Sequence, residues 1–462
     1  MFYESKEELL KDLEGAVKLN GRLEILNKEL LKEKTEILAY NLIFNQNDSI
    51  RKYLYWLVWQ IAQNLQIFPS SINSLYRAIG RGECEKVFTV PAINLRTLTF
   101  YLAQRIFRVA KRLGAGAFIF EIAKSEIGYT KQRPSEYTSL ILLAAIKEDF
   151  KGCVFIQADH FQVKSNKEEE IDSLKDLIKE AINAGFFNID IDTSTLVDLS
   201  KQDLDAQQKE NYSLCAALTH FIRRLEPENI TISVGGEIGE IGGKNSTPGE
   251  LRAFMKGYLK LTEGIEGISK IAIQTGTTHG GVVLPDGSIA RVKLDFDTLK
   301  NLSQIAKSEF KLAGCVQHGA STLPKEAFCK FPETGCCEIH LATQFQNIVY
   351  ENMPKDLKEE IYSWLKENFK KNWKEGMTEE QFLYKTRKQA LGAFKKKIYE
   401  LPKEVLNKTC DEIEELFEFL FKQLKVEDTK YLVEKYVKPV PIEKKITDFL
   451  EEKELKNLEG AD

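Results

Sequence analysis

Between residues 86 and 345, short apolar runs rich in β-branched side chains alternate with amphipathic stretches, and this alternation restricts the fold more than any other property of the chain. The runs fall at residues 87–94, 117–121, 153–158, 187–192, 230–234, 270–275, 313–317 and 337–342. Helix-compatible segments such as 173–184 and 248–261 lie between most of them; the link between the seventh and eighth is short and less clearly helical. Nearly continuous apolar strands separated by helices imply a parallel sheet covered on both faces. Eight strand–helix units predict an α/β fold closed as a (β/α)₈ TIM barrel rather than an open sheet.

The chain has 462 residues, more than such a barrel needs. The expected organisation is a helical N-terminal extension at 1–80, a barrel carrying a metal site at 81–350, and a helical C-terminal extension at 351–462. The N-terminal part is rich in Glu, Lys and Leu, breaks at residues 45–48, and clusters Tyr53, Tyr55, Trp56 and Trp59. Such a cluster packs onto the barrel or meets another subunit, with packing the default. In the C-terminal part, Leu416, Phe417, Leu420 and Phe421 follow a helical stripe, and the run Lys395, Lys396, Lys397 reads as surface.

Bulk composition mainly excludes. A hydrophobic fraction of 43% and a charged fraction of 29% rule out wholesale disorder. Sixty-five basic against sixty-nine acidic residues, a net charge of −4, argue against a dedicated nucleic-acid binder. No run approaches the ~18 apolar residues of a membrane span, and the first residues lack the pattern of a secretory signal. The eight cysteines are scattered without CxxC spacing, as expected of reduced thiols in a cytoplasmic protein, and the adjacent pair Cys336 and Cys337 reads as buried small residues.

In a barrel of this type, functional side chains sit at the C-terminal ends of the strands. Asp159 and His160 follow the third run, Asp192 ends the fourth, Glu237 and Glu240 follow the fifth, His279 follows the sixth, His318 follows the seventh, and His340 lies within the eighth. Four of the five histidines thus gather on one rim, while His220 falls in a helical run and reads as structural. Imidazoles from several strand ends with carboxylates beside them are what a catalytic zinc site requires. Small residues in 277–281 and 317–321 would let backbone approach a ligand, and N–H groups in such turns can cradle a phosphate.

Five motifs in this order carry a resemblance: Val90-Pro91-Ala92-Ile93-Asn94, Gln157-Ala158-Asp159-His160, the stretch from Gly236 to Gly243, Gly276-Thr277-Thr278-His279-Gly280, and His318-Gly319-Ala320-Ser321. Together they resemble the class II, metal-dependent fructose-bisphosphate (ketose-bisphosphate) aldolases from about residue 75 to 345, with a weaker echo around 384–398. The resemblance implies a lyase of carbohydrate metabolism, of the glycolytic type, that cleaves or forms the C3–C4 bond of a ketose (bis)phosphate through a zinc-stabilised enediolate. It implies Zn²⁺, or another divalent metal, on His160, His279 and His318, with Asp192 and Glu237 holding an alternative or second position. Asp159 matches the acid/base carboxyl group. Asn94, Gly280, Ser321 and Thr343 match positions lining the sugar phosphate, and His340 stands where the family usually has an Asn that helps bind the enediolate. The implied partner is a small sugar or sugar phosphate, not nucleic acid or membrane, and the chain is expected to be a homo-oligomer.

In the family, a mobile loop with an acidic residue follows the Gly-Gly motif. Here Gly242 and Gly243 run almost directly into the helix start at Thr247 and Pro248, so Glu240 or Glu250 would have to substitute. A ketose or ketose-phosphate 4-epimerase working by retro-aldol and aldol steps is therefore the alternative. An aldolase-like subunit without catalysis is a further alternative, opposed by the retained histidines and Asp159.

Overall fold

The computed structural model describes residues 2–239, 243–276, 283–286, 290 and 294–449. Eight parallel strands form its centre: β1 (Val90–Asn94), β2 (Ile119–Ala123), β3 (Gly152–Gln162), β4 (Asn188–Asp192), β5 (Ser233–Glu237), β6 (Lys270–Ala272), β7 (Cys315–Gln317) and β8 (Glu338–Leu341). Each pairs with its sequence neighbour. β8 returns to β1 through pairs such as His340 with Ala92, which closes the sheet. The apolar texture of the strands follows from this closure, because their residues are buried on both faces.

Helices return the chain outside the barrel, among them Thr99–Leu113, Glu168–Ala184, Leu204–Leu225, Pro248–Leu261 and Phe296–Phe310. Local chemistry sets their ends. Thr247 and Glu250 form a reciprocal capping box before Pro248, and Gly185 ends Glu168–Ala184 in a left-handed conformation. The seventh connection is made of two short 3₁₀ turns and the five-residue helix Lys330–Thr334.

The N-terminal extension is not purely helical. It contains a hairpin, Val17–Asn20 with Arg22–Ile25, whose tip is Gly21 at φ 73°. A short strand, Ile67–Ser70, joins the barrel by pairing with Gly152 to Phe155 of β3. Asn188 of β4 fastens that strand by donating to Ser70 O and accepting from Ile72 N. The helix Asn73–Gly80 then closes the N-terminal end of the barrel and sends the buried Tyr76 hydroxyl to Glu338 of β8.

The aromatic cluster lies on the helix Asp48–Asn64. Trp59 packs against Gly185, where an added Cβ would fall 2.8 Å from the indole. The C-terminal chain crosses the same helix: the Trp59 indole N–H donates to Ile442 O at 2.9 Å, Trp56 donates to Lys444 O at 3.0 Å, and the Lys444 ammonium lies 3.7 Å above the Trp59 ring. The helix Lys403–Gln423 lies along Thr99–Leu113, with Glu414 facing Arg105, Arg108 and Arg112. No helix among the described residues is long and apolar enough to cross a membrane.

Candidate active site

The site begins with an irregularity in β3. On a regular strand, successive side chains point to opposite faces, so Asp159 and His160 could not both face the barrel interior. The register against β4 shifts between Ala158 and Phe161, and His160 has φ 41°. This bulge brings both residues to His318, their ligand atoms all lying within 4.8 Å of one another. Asp159 is 4% exposed and His160 5%.

Around His160 the neighbouring strands supply oxygen atoms. Asp192 Oδ2 lies 3.2 Å and Glu237 Oε2 3.7 Å from Nδ1. Asp192 is fixed in turn by Gln162 Nε2 at 2.5 Å and by Ser194 N and Oγ at 3.1 and 2.7 Å. His318 lies between two other imidazoles, its ring centroid 4.2 Å from that of His160 and 4.1 Å from that of His340, with the planes tilted by 36° and 43°.

Beneath this rim lies a charged layer that departs from the apolar filling usual in such barrels. Lys270 Nζ binds Glu338 Oε1 at 2.5 Å, Gln157 Oε1 at 2.7 Å and Asp190 Oδ2 at 2.9 Å. Gly235 leaves room for that pair, since a Cβ there would meet Asp190 Oδ1 at 2.3 Å. His340 joins the two layers, with Nε2 2.8 Å from Glu338 Oε1 and Nδ1 3.0 Å from Asp159 Oδ1 and 3.1 Å from Glu121 Oε2.

The titration behaviour follows from crowding anions in a closed space. Burial pushes Glu121 up to about 8, with Asp159 adding to it, and Asp190 to about 6, with Lys270 opposing. Burial, with Asp192, also holds the Glu237 carboxyl well above the usual range. Burial alone would lower His160, but Asp159, Asp192 and Glu237 outweigh it and raise the imidazole well above its ordinary value. The cluster therefore demands positive charge, which protons or a divalent ion would satisfy.

A cavity of about 350 Å³ opens above these residues. Asn94, Ser321 and Thr343 line it, along with Glu121, Asp159, His318 and His340. Asn94 donates Nδ2 to Glu126, which also holds Arg96, and Ser321 Oγ accepts from Ala342 N at 2.7 Å. Of the other expected site residues, His279 and Gly280 lie outside the described residues, as does Glu240. His220 sits apart on its helix with Nε2 2.9 Å from Leu261 O.

Sequence reasoning passed over two groups. One is the interior set Glu121, Asp190, Lys270 and Glu338. Glu121 had a readable signal, a carboxylate ending an apolar run. The other is Tyr384, Lys385 and Lys388, which reach the cavity from the C-terminal extension. That segment grips the loop beyond β6, with Thr378 Oγ1 on Pro285 O and Gln381 Nε2 on Val283 O, both at 2.8 Å. The Lys395–Lys397 run stays away from the cavity, paired with Glu136, Glu400 and Glu360.

A sequence profile of the class II fructose-bisphosphate aldolases matches residues 81–411. The chain belongs to this family. As a class II aldolase-family member it is a lyase-type enzyme, and the matched span covers both the barrel and the C-terminal segment that reaches the cavity. Among solved structures, the fructose-bisphosphate aldolase of Campylobacter jejuni is similar at 17% identity, with 77% of this chain and 94% of that chain covered and a TM-score of 0.47. The YdjI aldolase of Escherichia coli K12 is similar at 14% identity, with 77% and 96% covered and a TM-score of 0.45. A Sinorhizobium meliloti protein described as a probable tagatose 6 phosphate kinase is similar at 15% identity, with 75% and 93% covered and a TM-score of 0.49. A comparison with curated proteins gives no match.

Proposed function

We propose that this family member is a zinc-dependent aldolase that cleaves or forms the C3–C4 bond of a ketose phosphate or bisphosphate. The observation that carries the reading is the bulge at Asp159 and His160, which brings a carboxylate and an imidazole together at His318. The donor set fits a divalent ion. It combines buried imidazole and carboxylate groups, with ligand atoms within 4.8 Å in both the Asp159–His160–His318 and the His160–Asp192–Glu237 sets. His160, His318 and His279 would hold the ion, with Asp192 and Glu237 as the alternative or second position.

A bound ion supplies Lewis acidity toward the substrate carbonyl. Asp159 would accept the C4 hydroxyl proton as the C3–C4 bond breaks and return it in the reverse direction. Asn94, Ser321, Gly280, His340 and Thr343 would line the sugar, and Lys385 and Lys388 would face its anionic end. The eight free thiols favour a cytoplasmic setting for this carbohydrate metabolism.

A 4-epimerase reading is favoured by one observation. Glu250, which could have replaced the family's loop acid, is held in its helix cap by Thr247 N at 2.7 Å and Oγ1 at 2.9 Å and ion-paired with Lys244. An epimerase keeps both fragments and needs no such acid. The test is to incubate zinc-loaded protein with fructose 1,6-bisphosphate and couple it to triose-phosphate detection. Triose release that disappears in Asp159→Asn supports the aldolase. A C4 epimer without triose supports the epimerase. Absence of turnover on ketoses and their phosphates would overturn both.

A further inference from the structure

We propose that Glu121, Asp159 and His340 form a second divalent-cation site beside the one at His160 and His318, with Asp159 offering Oδ1 to it. The proposal depends on the reading above only for that first site. The three residues come from β2, β3 and β8 and are 0%, 4% and 5% exposed, with ligand atoms within 4.8 Å of one another.

The orientation of His340 is the deciding observation. Its Nε2 makes an aligned contact of 2.8 Å with Glu338 Oε1. Glu338 is itself held by Tyr76, Lys270 and Gln157. A carboxylate fixed in this way accepts a hydrogen bond from Nε2, so Nδ1 is the ring atom that would give up its proton to a cation. Nδ1 lies 3.0 Å from Asp159 Oδ1 and 3.1 Å from Glu121 Oε2. Neither contact has hydrogen-bond alignment: Nδ1 is buried without a hydrogen-bond partner, as is the second Glu121 oxygen, Oε1.

Three ligand atoms therefore converge, and a divalent ion would take the place of the protons that otherwise balance them. Atoms bound at ~2.0–2.1 Å to one ion lie roughly 3.0–3.4 Å apart, which matches the two contacts of His340 Nδ1. A metal-binding imidazole that gives its other N–H to a carboxylate is the usual supporting arrangement of such sites, and Glu338 provides it. Asn94, paired with Glu121 across β1 and β2, adds another buried oxygen without a hydrogen-bond partner in the same cavity.

One nitrogen with two or more oxygens selects a hard to borderline ion such as Mn²⁺ or Zn²⁺ over a soft one. Two neighbouring ions suit a substrate that offers adjacent oxygen atoms.

The test counts ions on full-length protein stripped with chelator and reloaded with Mn²⁺ alone, using calorimetry and elemental analysis. Wild type is expected to hold two ions per chain, Glu121→Gln and His340→Gln one each, and His160→Ala one. One ion in wild type that persists in Glu121→Gln and His340→Gln overturns the proposal, as does a count of two that neither variant lowers. If His160→Ala leaves the wild-type count intact, the first site is wrong instead. Should the variants not fold, the Mn²⁺ spin-resonance spectrum of Glu237→Gln, which disables the alternative position beside His160, decides: an exchange-coupled pair supports the proposal, and an isolated-ion spectrum overturns it.

Discussion

Asp159 and His160 are consecutive residues whose side chains meet the same imidazole, His318, because the backbone between them departs from the strand at φ 41°. A histidine held in this region costs on the order of 1–3 kcal/mol, which the surrounding barrel must offset. What the strain provides is a carboxylate and an imidazole one residue apart on the same side of the strand, with no loop to position either.

Asp192 anchors this arrangement from β4, since its carboxylate touches His160 and is itself held by Gln162 and Ser194. Asp192→Asn should weaken zinc binding by about 10- to 100-fold while the fold persists. Competition with a chromogenic chelator measures this, and unchanged affinity would remove Asp192 from the site.

Lys388 lines the cavity from the C-terminal segment rather than from the barrel. If it faces a substrate phosphate, Lys388→Ala should raise KM for fructose 1,6-bisphosphate about 10- to 100-fold, the range of a hydrogen bond to a charged group, with kcat little changed. An equal loss in kcat would instead point to a role in the transition state.

Gly235 makes room for the Asp190–Lys270 pair, with the Lys270 Cε only 3.0 Å from where a Cβ would stand. Gly235→Ala should cost about 1–3 kcal/mol through overpacking, read as a lower urea midpoint. An unshifted midpoint would mean that the charged layer yields freely.

Glu414 joins the C-terminal helix to the barrel. Burial would raise its carboxyl, but hydrogen bonds from Arg112 and Arg105 prevail and lower it. A carboxyl lowered in the folded state contributes its full stability above the unfolded value, near 4.5, and loses it as pH falls through the folded value. Glu414→Gln should therefore cost about 1 kcal/mol at pH 6 and progressively less toward pH 3. Urea melts at both values test this; an equal cost at both would assign the effect to packing.

The barrel was legible because parallel strands buried on both faces leave continuous apolar runs, and all eight expected runs overlap a strand, the fifth only at residues 233 and 234. The rim positions of His160, His318 and His340 followed from strand ends alone. The bulge was not legible, because nothing in Gln157-Ala158-Asp159-His160 marks a register shift that only β4 imposes. Lys270 and Glu338 were hidden for the opposite reason: a charged residue in a strand reads as outward-facing until its partners on three other elements are known. In the N-terminal extension the hairpin had a signal that was missed, Asn20-Gly21 flanked by Val17, Leu19, Leu23 and Ile25. The segment at Ile67–Ser70 is short, contains Pro69 and owes its pairing to β3.

The bond from Trp59 to Ile442 spans 383 residues of chain. During synthesis, the aromatic helix therefore lacks its acceptor until Ile442 has left the ribosome. The barrel strands can pair earlier, but the layer over Trp56 and Trp59 is a final fastening. A nascent chain halted before Ile442 would leave both indole N–H groups without their acceptors and uncover part of an aromatic surface of the kind that folding helpers bind.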